Sequence, residues 1–369
     1  MESQTKSTEF RQALLTMSNI GHSEAQVILP SCNTTLDSGG TCALAEIESM
    51  SLHVAETKVN GKWVRVPALD YKGKSIIAKG TWLRLAQVLG EEWLETELED
   101  AELCAKLLKS QRRRGLRADI LTFAQKLPVT SPKYDYYTEW DSIAAVKTTS
   151  FREWWKGLPR ESRQNVRRSR KRGVQVFVEP LDDQLIQEIM GVNNESPVRQ
   201  GRPNSHYGKT FEEVKKDHSS FLDRCDYICA YAGEELIGFI WLIYRGEIAS
   251  ILQILTKASH QDKRPANALI AKAVELCEVR GLLYLTYGMF NYGNKKHNSL
   301  REFKERNGFS EVSVPRFYIP LTPWGSFCMK AKLHRGLIGI LPHSVIMAGV
   351  RARSLYYNLW QSKAVLAQR

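Results

Sequence analysis

The sequence has few of the motifs by which enzyme classes are recognised. It holds no Walker loop, no catalytic triad, no histidine and cysteine cluster at metal-ligand spacing and no apolar run of about 18 residues. Its seven cysteines are scattered, and Cys225 and Cys229 lack a second pair at zinc spacing. The N-terminus lacks the basic and then apolar pattern of a signal peptide. The sequence therefore predicts no metal site, reduced thiols and a cytoplasmic protein.

Acidic residues are scarce in two segments of the chain. Residues 152–172 carry nine basic and two acidic residues, and residues 321–369 carry seven basic and no acidic residues. The first 150 residues sum to −1, so the net charge of +12 is concentrated in these two segments. Concentrated positive charge predicts anionic partners at defined places. For residues 152–172, three interpretations stay open: a solvated basic helix, phosphate contacts to tRNA or another nucleic acid, and contacts to an acidic polymer.

Length and composition predict a folded protein with two domains. The chain has 369 residues, of which 43% are hydrophobic and 25% charged, and domains typically hold about 100 to 200 residues. Its predicted parts are a weakly ordered lead (1–45), a small α+β N-terminal domain (46–150), a second domain (151–320) and a basic aromatic C-terminal extension (321–369). The extension fits an anionic membrane surface or packing against the body, and we favour packing because aromatic stripes are more often core.

Local patterns predict the elements of the N-terminal domain. Asn60 and Gly61 separate two alternating runs, which is the strongest short-range signal for a β-hairpin. Residues 99–114 have helical periodicity and end at Gly115, and residues 118–123 form a short apolar run. We therefore expect an α+β domain, followed by a crossing segment into the second domain.

The second domain has a regular order of elements, delimited by caps and turns. Asp182 is the predicted cap of the helix at 184–192, and Thr210 and Glu213 form a capping box for the next helix. Pro265 stands at the first position of a helix that Gly281 ends. Tight turns join three alternating runs into a predicted antiparallel meander. In chain order the predicted elements are a strand (174–178), two helices (184–192 and 210–222), the meander (227–232, 236–244 and 248–256), the helix from Pro265, a strand (282–287), a helix around Phe303 and a strand (312–318) that closes the sheet.

Three short motifs accompany this order: residues 163–174, Glu235-Leu236-Ile237-Gly238-Phe239 in the meander, and Phe303-Lys304-Glu305-Arg306-Asn307-Gly308-Phe309 near the end. With them, the chain resembles the GNAT N-acyltransferase fold, and in particular its FemAB-like branch. The resemblance implies an α+β fold with a mixed, mostly antiparallel sheet flanked by helices. It also implies transfer of an acyl group from acyl-CoA or acetyl-CoA to an amine acceptor. FemAB-like proteins contain two GNAT-like halves, so the N-terminal domain is implied to be a degenerate first half.

One motif of the family is missing. GNAT proteins usually have a glycine-containing loop before the long helix, where backbone N–H groups hold the pyrophosphate of CoA, but residues 260–268 contain no glycine. A helix N-terminus preceded by basic residues still attracts an anion. The loss leaves two alternatives to an acyl-CoA donor: an aminoacyl-tRNA donor, as in FemAB-like transferases, and a nucleic-acid-binding protein without catalysis. The resemblance assigns these residues to the donor: Gln253, Lys263, Arg264, Ala266 and Asn267.

The candidate catalytic tyrosine is placed by the same resemblance. Direct acyl transfer to an amine needs an anion anchor, a gap for the acyl arm, a group that polarises the carbonyl and a base for the ammonium proton. In this fold the strands at 248–256 and 282–287 splay apart, and Tyr287 stands beside the gap. It is a candidate general acid for the leaving group, or a donor that orients the acyl carbonyl. The alternative is a strand-end aromatic residue whose hydroxyl is satisfied elsewhere.

A long polar loop, residues 193–209, separates two predicted helices. The resemblance places this loop on the acceptor side of the site, where Glu195 is a candidate base and His206 titrates near neutral pH. Arginines of the loop have the planar fork that binds a carboxylate or phosphate bidentately. The candidate acceptor-binding residues are Arg199, Gln200, Arg202, Tyr207 and Lys209. The alternative is a solvated loop whose arginines pair with acidic neighbours.

Overall fold

The computed structural model describes residues 52–59, 62–112, 115–199, 202–291 and 299–336. Of the sequence predictions, the lead, most of the C-terminal extension, Gln200 and the side chain of Arg202 lie outside the described residues. Within the described ranges, no helix is both long and apolar enough to span a membrane.

Twelve of the described strands form one mixed sheet. All fourteen described strands are β1 (Leu52–Val59), β2 (Lys62–Tyr71), β3 (Lys74–Lys79), β4 (Leu85–Val88), β5 (Ile120–Ala124), β6 (Tyr137–Lys147), β7 (Val174–Glu179), β8 (Val198–Arg199), β9 (Arg202–Pro203), β10 (Cys225–Ala232), β11 (Glu235–Arg245), β12 (Ile248–Thr256), β13 (Tyr284–Met289) and β14 (Ser310–Pro320). Their order in the sheet is β1-β2-β3-β4-β5-β14-β6-β13-β12-β11-β10-β7, and β8 pairs with β9 in a separate short ribbon.

Eight described α-helices accompany the sheet. They are α1 (Ala101–Gln111), α2 (Phe151–Gly157), α3 (Arg160–Lys171), α4 (Asp183–Asn193), α5 (Phe211–His218), α6 (Pro265–Val279), α7 (Ser299–Arg306) and α8 (Pro323–Lys330). Helices α2, α3, α6 and α7 pack on one face of the second half of the sheet, around a core that includes Leu269, Val274 and Leu285. Helices α4 and α5 pack on the opposite face. Each fully buried leucine contributes roughly 1.5–3 kcal/mol through the area it removes from water.

The two halves of the sheet have the same order of strands, although only the second half has helices after its first strand and before its last strand. In the first half, β1 to β4 form an antiparallel meander, α1 follows, and β5 pairs in parallel with β4. In the second half, β7 and β10 to β12 form an antiparallel series, α6 follows, and β13 pairs in parallel with β12. This arrangement agrees with the GNAT-like, mostly antiparallel α+β fold predicted from the sequence, including a first half that repeats the second.

The last strand of each half is exchanged with the other half. Strand β6 pairs with β13 of the second half, and β14 pairs with β5 of the first half. The exchanged strands also pair with each other, from Ser310 opposite Ala145 to Tyr318 opposite Tyr137. The sheet therefore continues without interruption from one half into the other.

The predicted caps and turns are confirmed. Asp182 Oδ1 accepts a hydrogen bond from the N–H of Leu185 at 2.7 Å, and Thr210 and Glu213 form the capping box of α5. Gly281 takes the left-handed backbone (φ 67°) that ends α6. The antiparallel pairing of β1 with β2 confirms the first hairpin.

Two details of the prediction are wrong. Residues 152–172 are not one helix, because Leu158 and Pro159 take extended backbone between α2 and α3. Proline has no N–H to donate, and its ring disfavours helical backbone in the residue before it. The strand predicted at 312–318 to close the sheet is β14, which lies in the middle of the sheet instead.

Candidate functional site

The neighbouring strands β12 and β13 separate after a short stretch of pairing. They pair in parallel only from Ile248 opposite Tyr284 to Ser250 opposite Thr286. Each strand then carries a β-bulge: Leu252 is skipped in the pairing of β12 with β11, and Tyr287 and Gly288 are skipped in the pairing of β13 with β6. Gly288 has a φ of 54°, which a glycine adopts without strain. Because bulges bend a strand and re-aim its side chains, the sheet opens here and Tyr287 faces the opening.

Two adjoining cavities fill the opening, and together they are called the cleft. One has a volume of about 470 Å³ and the other about 320 Å³. They share four lining residues: Thr256, Gln261, Ala266 and Phe303. The larger cavity reaches Tyr287 and the loop around Glu195, and the smaller one reaches Arg264, Asn267 and Arg306. The predicted gap between the two strands is thus confirmed as a cleft that extends to the start of α6.

The N-terminus of α6 has no side-chain cap. Arg264 is the N-cap residue, with φ 56°, and no side chain accepts a hydrogen bond from the first turn. The first N–H groups of a helix and its dipole together attract an anion. Arg264 is exposed beside them, and Lys263 next to it is half-buried. The backbone of Arg264 has the left-handed conformation that a glycine usually supplies, so this turn forms without the family's glycine.

Asn267 and Ala266 form the first turn of α6 on the cleft side. The Nδ2 of Asn267 donates to Asn307 Oδ1 at 2.9 Å, and Asn307 Nδ2 donates to the carbonyl of Phe303 at 2.7 Å. These contacts tie α6 to the end of α7. Ala266 lines both cavities of the cleft with a small side chain.

Tyr287 lies against a buried lysine. The Nζ of Lys304 is 4.6 Å from the centre of the Tyr287 ring and donates to the carbonyl of Met289 at 2.6 Å. Lys304 is completely buried, and burial lowers its pKa to about 8. A lysine with this pKa exchanges its proton near neutral pH, and a cation over the ring stabilises negative charge on the tyrosine oxygen. The sequence prediction did not include Lys304, although it belongs to the motif around Phe303.

Glu195 is a strongly held carboxylate. It accepts hydrogen bonds from the N–H of Ala258 (2.6 Å), from the N–H and hydroxyl of Ser259 (both 2.8 Å) and from Arg199 (3.1 Å). Burial raises the pKa of Glu195, but the bonds from Ser259, Ala258 and Arg199 outweigh it and bring the pKa below its ordinary value. Glu195 therefore remains ionised at neutral pH and fixes the turn that leads into α6.

Arg199 directs its guanidinium group at the protein itself. Its Nη1 donates to the carbonyl of Thr256 at 2.9 Å, and its Nη2 donates to the carbonyl of Val192 at 3.0 Å and to Glu195. Burial lowers the pKa of Arg199, while Glu195 opposes that effect. Arg199 thus joins the end of α4 and the end of β12, and it forms a wall of the cleft.

The other predicted site residues lie away from the cleft. Gln253 sits beside the bulge of β12, and its buried Nε2 has no hydrogen-bond partner among the described residues. Lys209 pairs with Asp217, Tyr207 is exposed, and half-buried His206 donates its backbone N–H to Asn204. The structure therefore brings Tyr287, Glu195, Arg199, Arg264, Ala266 and Asn267 together, but not Gln253, His206, Tyr207 or Lys209.

Helix α3 connects the cleft with a basic surface. Glu161, Ser162 and Asn165 of α3 line the smaller cavity of the cleft. Between Arg152 and Arg172, eight of the nine basic side chains are exposed. Among the described residues no carboxylate lies within 4 Å of the positive groups at six of these eight positions: Arg152, Arg160, Arg167, Arg168, Arg170 and Lys171. This surface therefore has charge available for a polyanion at the edge of the cleft.

Part of the chain matches a known protein family, and the structure has similar solved structures. Residues 194–303 match the acetyltransferase (GNAT) family. The structure is similar to that of FemX, with 10% identity, 74% of this chain and 90% of that chain covered, and a TM-score of 0.46. It is also similar to L-PGS from Bacillus licheniformis, with 16% identity, 74% of this chain and 87% of that chain covered, and a TM-score of 0.47. A third similar structure is a tandem GNAT protein from the clavulanic acid biosynthesis pathway, with 8% identity, 74% of this chain and 84% of that chain covered, and a TM-score of 0.36. A comparison with curated protein sequences gives no match.

The matched residues begin just before Glu195 and end at Phe303, so they enclose most of the cleft. They include the start of α6 and Tyr287, which the fold brings to the same opening. The part of the chain that matches the acetyltransferase (GNAT) family, residues 194–303, is thus the part that holds most of the cleft.

Proposed function

We propose that the protein transfers an acyl group directly to an amine in the cleft. The observation that carries this proposal is the meeting of an uncapped helix N-terminus with the opening between β12 and β13. A donor with a phosphate group binds at the start of α6, and its acyl arm extends into the opening beside Tyr287. No covalent enzyme intermediate is needed, because the amine attacks the bound carbonyl carbon directly.

The chemical step uses Tyr287 as the proton donor. As the C–N bond forms and the bond to the leaving thiol or hydroxyl breaks, the tyrosine hydroxyl gives its proton to the leaving atom. The proton lost by the amine then restores the hydroxyl. Lys304 is a positioning residue in this scheme, because its ammonium group over the ring favours the transient tyrosinate. Glu195 and Arg199 hold the turn before α6 in place.

Acyl-CoA is the first candidate donor. Arg264 and Lys263 offer positive charge near the start of α6, where a pyrophosphate group would bind, whereas Arg306 at the same cavity pairs with Glu302 at 2.6 Å. No glycine is present in residues 260–268, so only the left-handed turn at Arg264 provides the close approach of backbone N–H groups. The residues present fit a phosphate at the helix start better than they fit a long cradle around it.

Aminoacyl-tRNA is the second candidate donor, favoured by the basic surface of α3. One side of this helix lines the cleft, while its arginines are exposed next to it. A tRNA lying along α3 would place its aminoacylated end in the cleft. Binding of this kind weakens steeply with salt, because each phosphate contact releases counterions.

Ligand-induced stabilisation of the full-length protein separates these donors. Acetyl-CoA, a longer acyl-CoA and an aminoacyl-tRNA are each added, and the melting temperature and the transfer of a labelled acyl group to an amine are measured. A donor present at 100 times its Kd stabilises the folded state by about 2.7 kcal/mol. Stabilisation by none of the three would contradict the proposed function and support a protein without catalysis.

The role of Tyr287 is tested by Tyr287→Phe. We expect kcat to fall roughly 100-fold with donor binding unchanged, since general acid catalysis contributes about 10²–10⁴-fold. Tyr284→Phe is the matched control, because Tyr284 lies on the same strand, is also half-buried and does not line the cleft. Equal rates for the two variants would remove Tyr287 from the mechanism.

A further inference from the structure

A second cavity lies on the other face of the sheet, opposite the cleft. Successive residues of a strand point to opposite faces, and Tyr287 lines the cleft whereas Thr286 lines this cavity. Ser250 of β12 and Met289 of β13 line it as well, so both strands that open to form the cleft also border the second cavity. Its volume is about 330 Å³, which suits a molecule of amino-acid size.

Arg245 is the distinctive side chain of this cavity. It lies at the end of β11, and its Nε donates to Ser250 Oγ at 3.0 Å. Ser250 Oγ in turn contacts Thr286 Oγ1 at 2.8 Å, so the guanidinium group is oriented from one side. Within the described residues, no carboxylate oxygen lies within 4 Å of its nitrogens. The remaining N–H groups of the fork are therefore available to a ligand.

A second arginine in the same cavity provides a contrast. Arg316 donates to Glu91 Oε2 at 2.9 Å and to Asp141 Oδ2 at 2.7 Å, so its charge is neutralised by the protein. Lys126 also lines the cavity, and its Nζ donates to the carbonyl of Glu91. Burial lowers the pKa of Arg245 to about 10, which leaves it charged at neutral pH. Glu92, which also lines the cavity, opposes this lowering of the Arg245 pKa but makes no ion pair with Arg245 within 4 Å. A half-buried cation without a paired carboxylate is stabilised when an anion binds to it.

We propose that this second cavity binds the amine acceptor, and that the acceptor carries a carboxylate or phosphate group held by Arg245. With its anionic group at Arg245, a compact acceptor directs its amine past Thr286 and Met289 toward the opening between β12 and β13. The donor then reaches the reacting carbonyl from the cleft and the acceptor from the opposite face. This assignment rests on the proposed acyl transfer, and it specifies the substrate class.

Binding of small amines without any donor tests the assignment. The full-length protein is titrated with β-alanine, O-phosphoethanolamine and propylamine, and the melting temperature is followed. We expect β-alanine or O-phosphoethanolamine to stabilise the protein, and propylamine, which has no anionic group, to have no effect. The first two compounds also distinguish a carboxylate from a phosphate.

Arg245→Gln should raise the half-saturating concentration of the stabilising amine at least tenfold. Arg117→Gln is the matched control, because Arg117 is exposed and lines neither the second cavity nor the cleft. Lys126→Gln provides a second variant of the cavity, with a smaller expected loss. Equal stabilisation by all three amines, stabilisation by none of them, or parental binding by Arg245→Gln would overturn the assignment.

Failure of the acceptor assignment can be distinguished from failure of the proposed function. Donor stabilisation is measured separately with the same variants, and Arg245→Gln should leave it unchanged because Arg245 does not line the cleft. Amine binding that depends on Arg245, without acyl transfer from any donor, would contradict the proposed function alone. Acyl transfer that is insensitive to Arg245 would contradict the acceptor assignment alone.

Discussion

The two halves of the sheet have the same order of strands, but the parallel strand pair is open in one half and bridged by side chains in the other. In the second half, β12 and β13 open into the cleft, and the following helix, α6, begins without a side-chain cap. In the first half, the protein closes the corresponding place itself. Glu91 Oε1 accepts a hydrogen bond from the N–H of Ala124 at the end of β5, and Glu91 Oε2 binds Arg316.

The helices that follow the two meanders, α1 and α6, also differ in their N-terminal caps. Asp100 and Arg264 are both N-cap residues with left-handed backbone, at φ 47° and φ 56°. Asp100 Oδ1 accepts a hydrogen bond from the N–H of Leu103 at 3.2 Å, whereas Arg264 leaves the start of α6 without such an acceptor. An anion is thus built into the first half where the second half leaves room for one. At this place one repeat supplies its own carboxylates, and the other leaves an opening.

Of the variants that test this comparison, Lys304→Met should have the largest effect on activity, because it removes the buried cation beside the Tyr287 ring in the second half. We expect a loss of roughly 100-fold in kcat, by the usual size of such electrostatic effects. Donor stabilisation should be unchanged, since Lys304 does not line the cleft. A variant with parental kcat would contradict the positioning role.

The same variant has a pH signature. The pKa of Lys304 is about 8 in the folded protein and near 10.4 in the unfolded chain, so the unfolded chain binds more protons between these values. Stability of the parent should therefore rise relative to that of Lys304→Met as the pH increases from about 8 to 10.4. Urea unfolding of both proteins across this range measures the difference, and a constant difference would show that the lysine has an ordinary pKa.

Arg264→Asp makes the second half resemble the first by placing a carboxylate at the start of α6. Because that carboxylate occupies the position of the donor's anion, we expect donor affinity to fall about 30-fold, equivalent to roughly 2 kcal/mol by the relation between free energy and Kd. The new cap should stabilise the fold by about 1 kcal/mol. Arg264→Gln, which removes the charge without adding an anion, should lose less affinity. Equal losses in both variants would show that only the arginine charge matters.

Glu195→Gln tests whether this carboxylate is a base or a support. We expect about 2 kcal/mol of lost stability, because hydrogen bonds to a charged group are weakened, and a change in kcat below threefold. The pKa of Glu195 is lowered in the folded protein, so its contribution is present above the unfolded pKa near 4.3 and lost as the pH falls through the folded pKa. The stability difference should accordingly shrink in acid. A thousandfold loss of kcat with an intact fold would instead make Glu195 the base.

Asp100→Ala should have the smallest effect and concerns only the closed half. Loss of the N-cap should cost about 1 kcal/mol of unfolding free energy. Transfer activity should remain at the parental level, because Asp100 does not line the cleft. Reduced activity at unchanged stability would show that Asp100 itself takes part in the reaction.

The sequence is sufficient for features set by nearby residues. The capping box of Thr210 and Glu213, the cap of Asp182 and the helix stop at Gly281 each depend on groups a few positions apart, and all three are present. The order of strands and helices in the second half follows from such signals. The break between α2 and α3 at Pro159 can also be predicted from the sequence, since a proline followed by a new helical run indicates the start of a second helix.

The candidate site is harder to predict from the sequence, because its contacts join distant parts of the chain. Arg199 has the side chain of an anion-binding residue, and only the fold shows that the carbonyls of Thr256 and Val192 occupy it. The burial of Lys304 against Tyr287 and the exchange of β6 and β14 are likewise decided by packing across the sheet. No local pattern distinguishes a buried lysine in a helix from an exposed one.

The exchange of the last strands has a consequence for how the protein is made. During synthesis β5 and β6 emerge early, but the strand that belongs between them, β14, is completed only at Pro320. Until then the first half has two unpaired strand edges, which are templates for aggregation. Such long-range pairing also slows folding, because a large loop must close before the contacts form. The first half alone, cut after β6, is therefore an unfinished sheet rather than an independent folding unit.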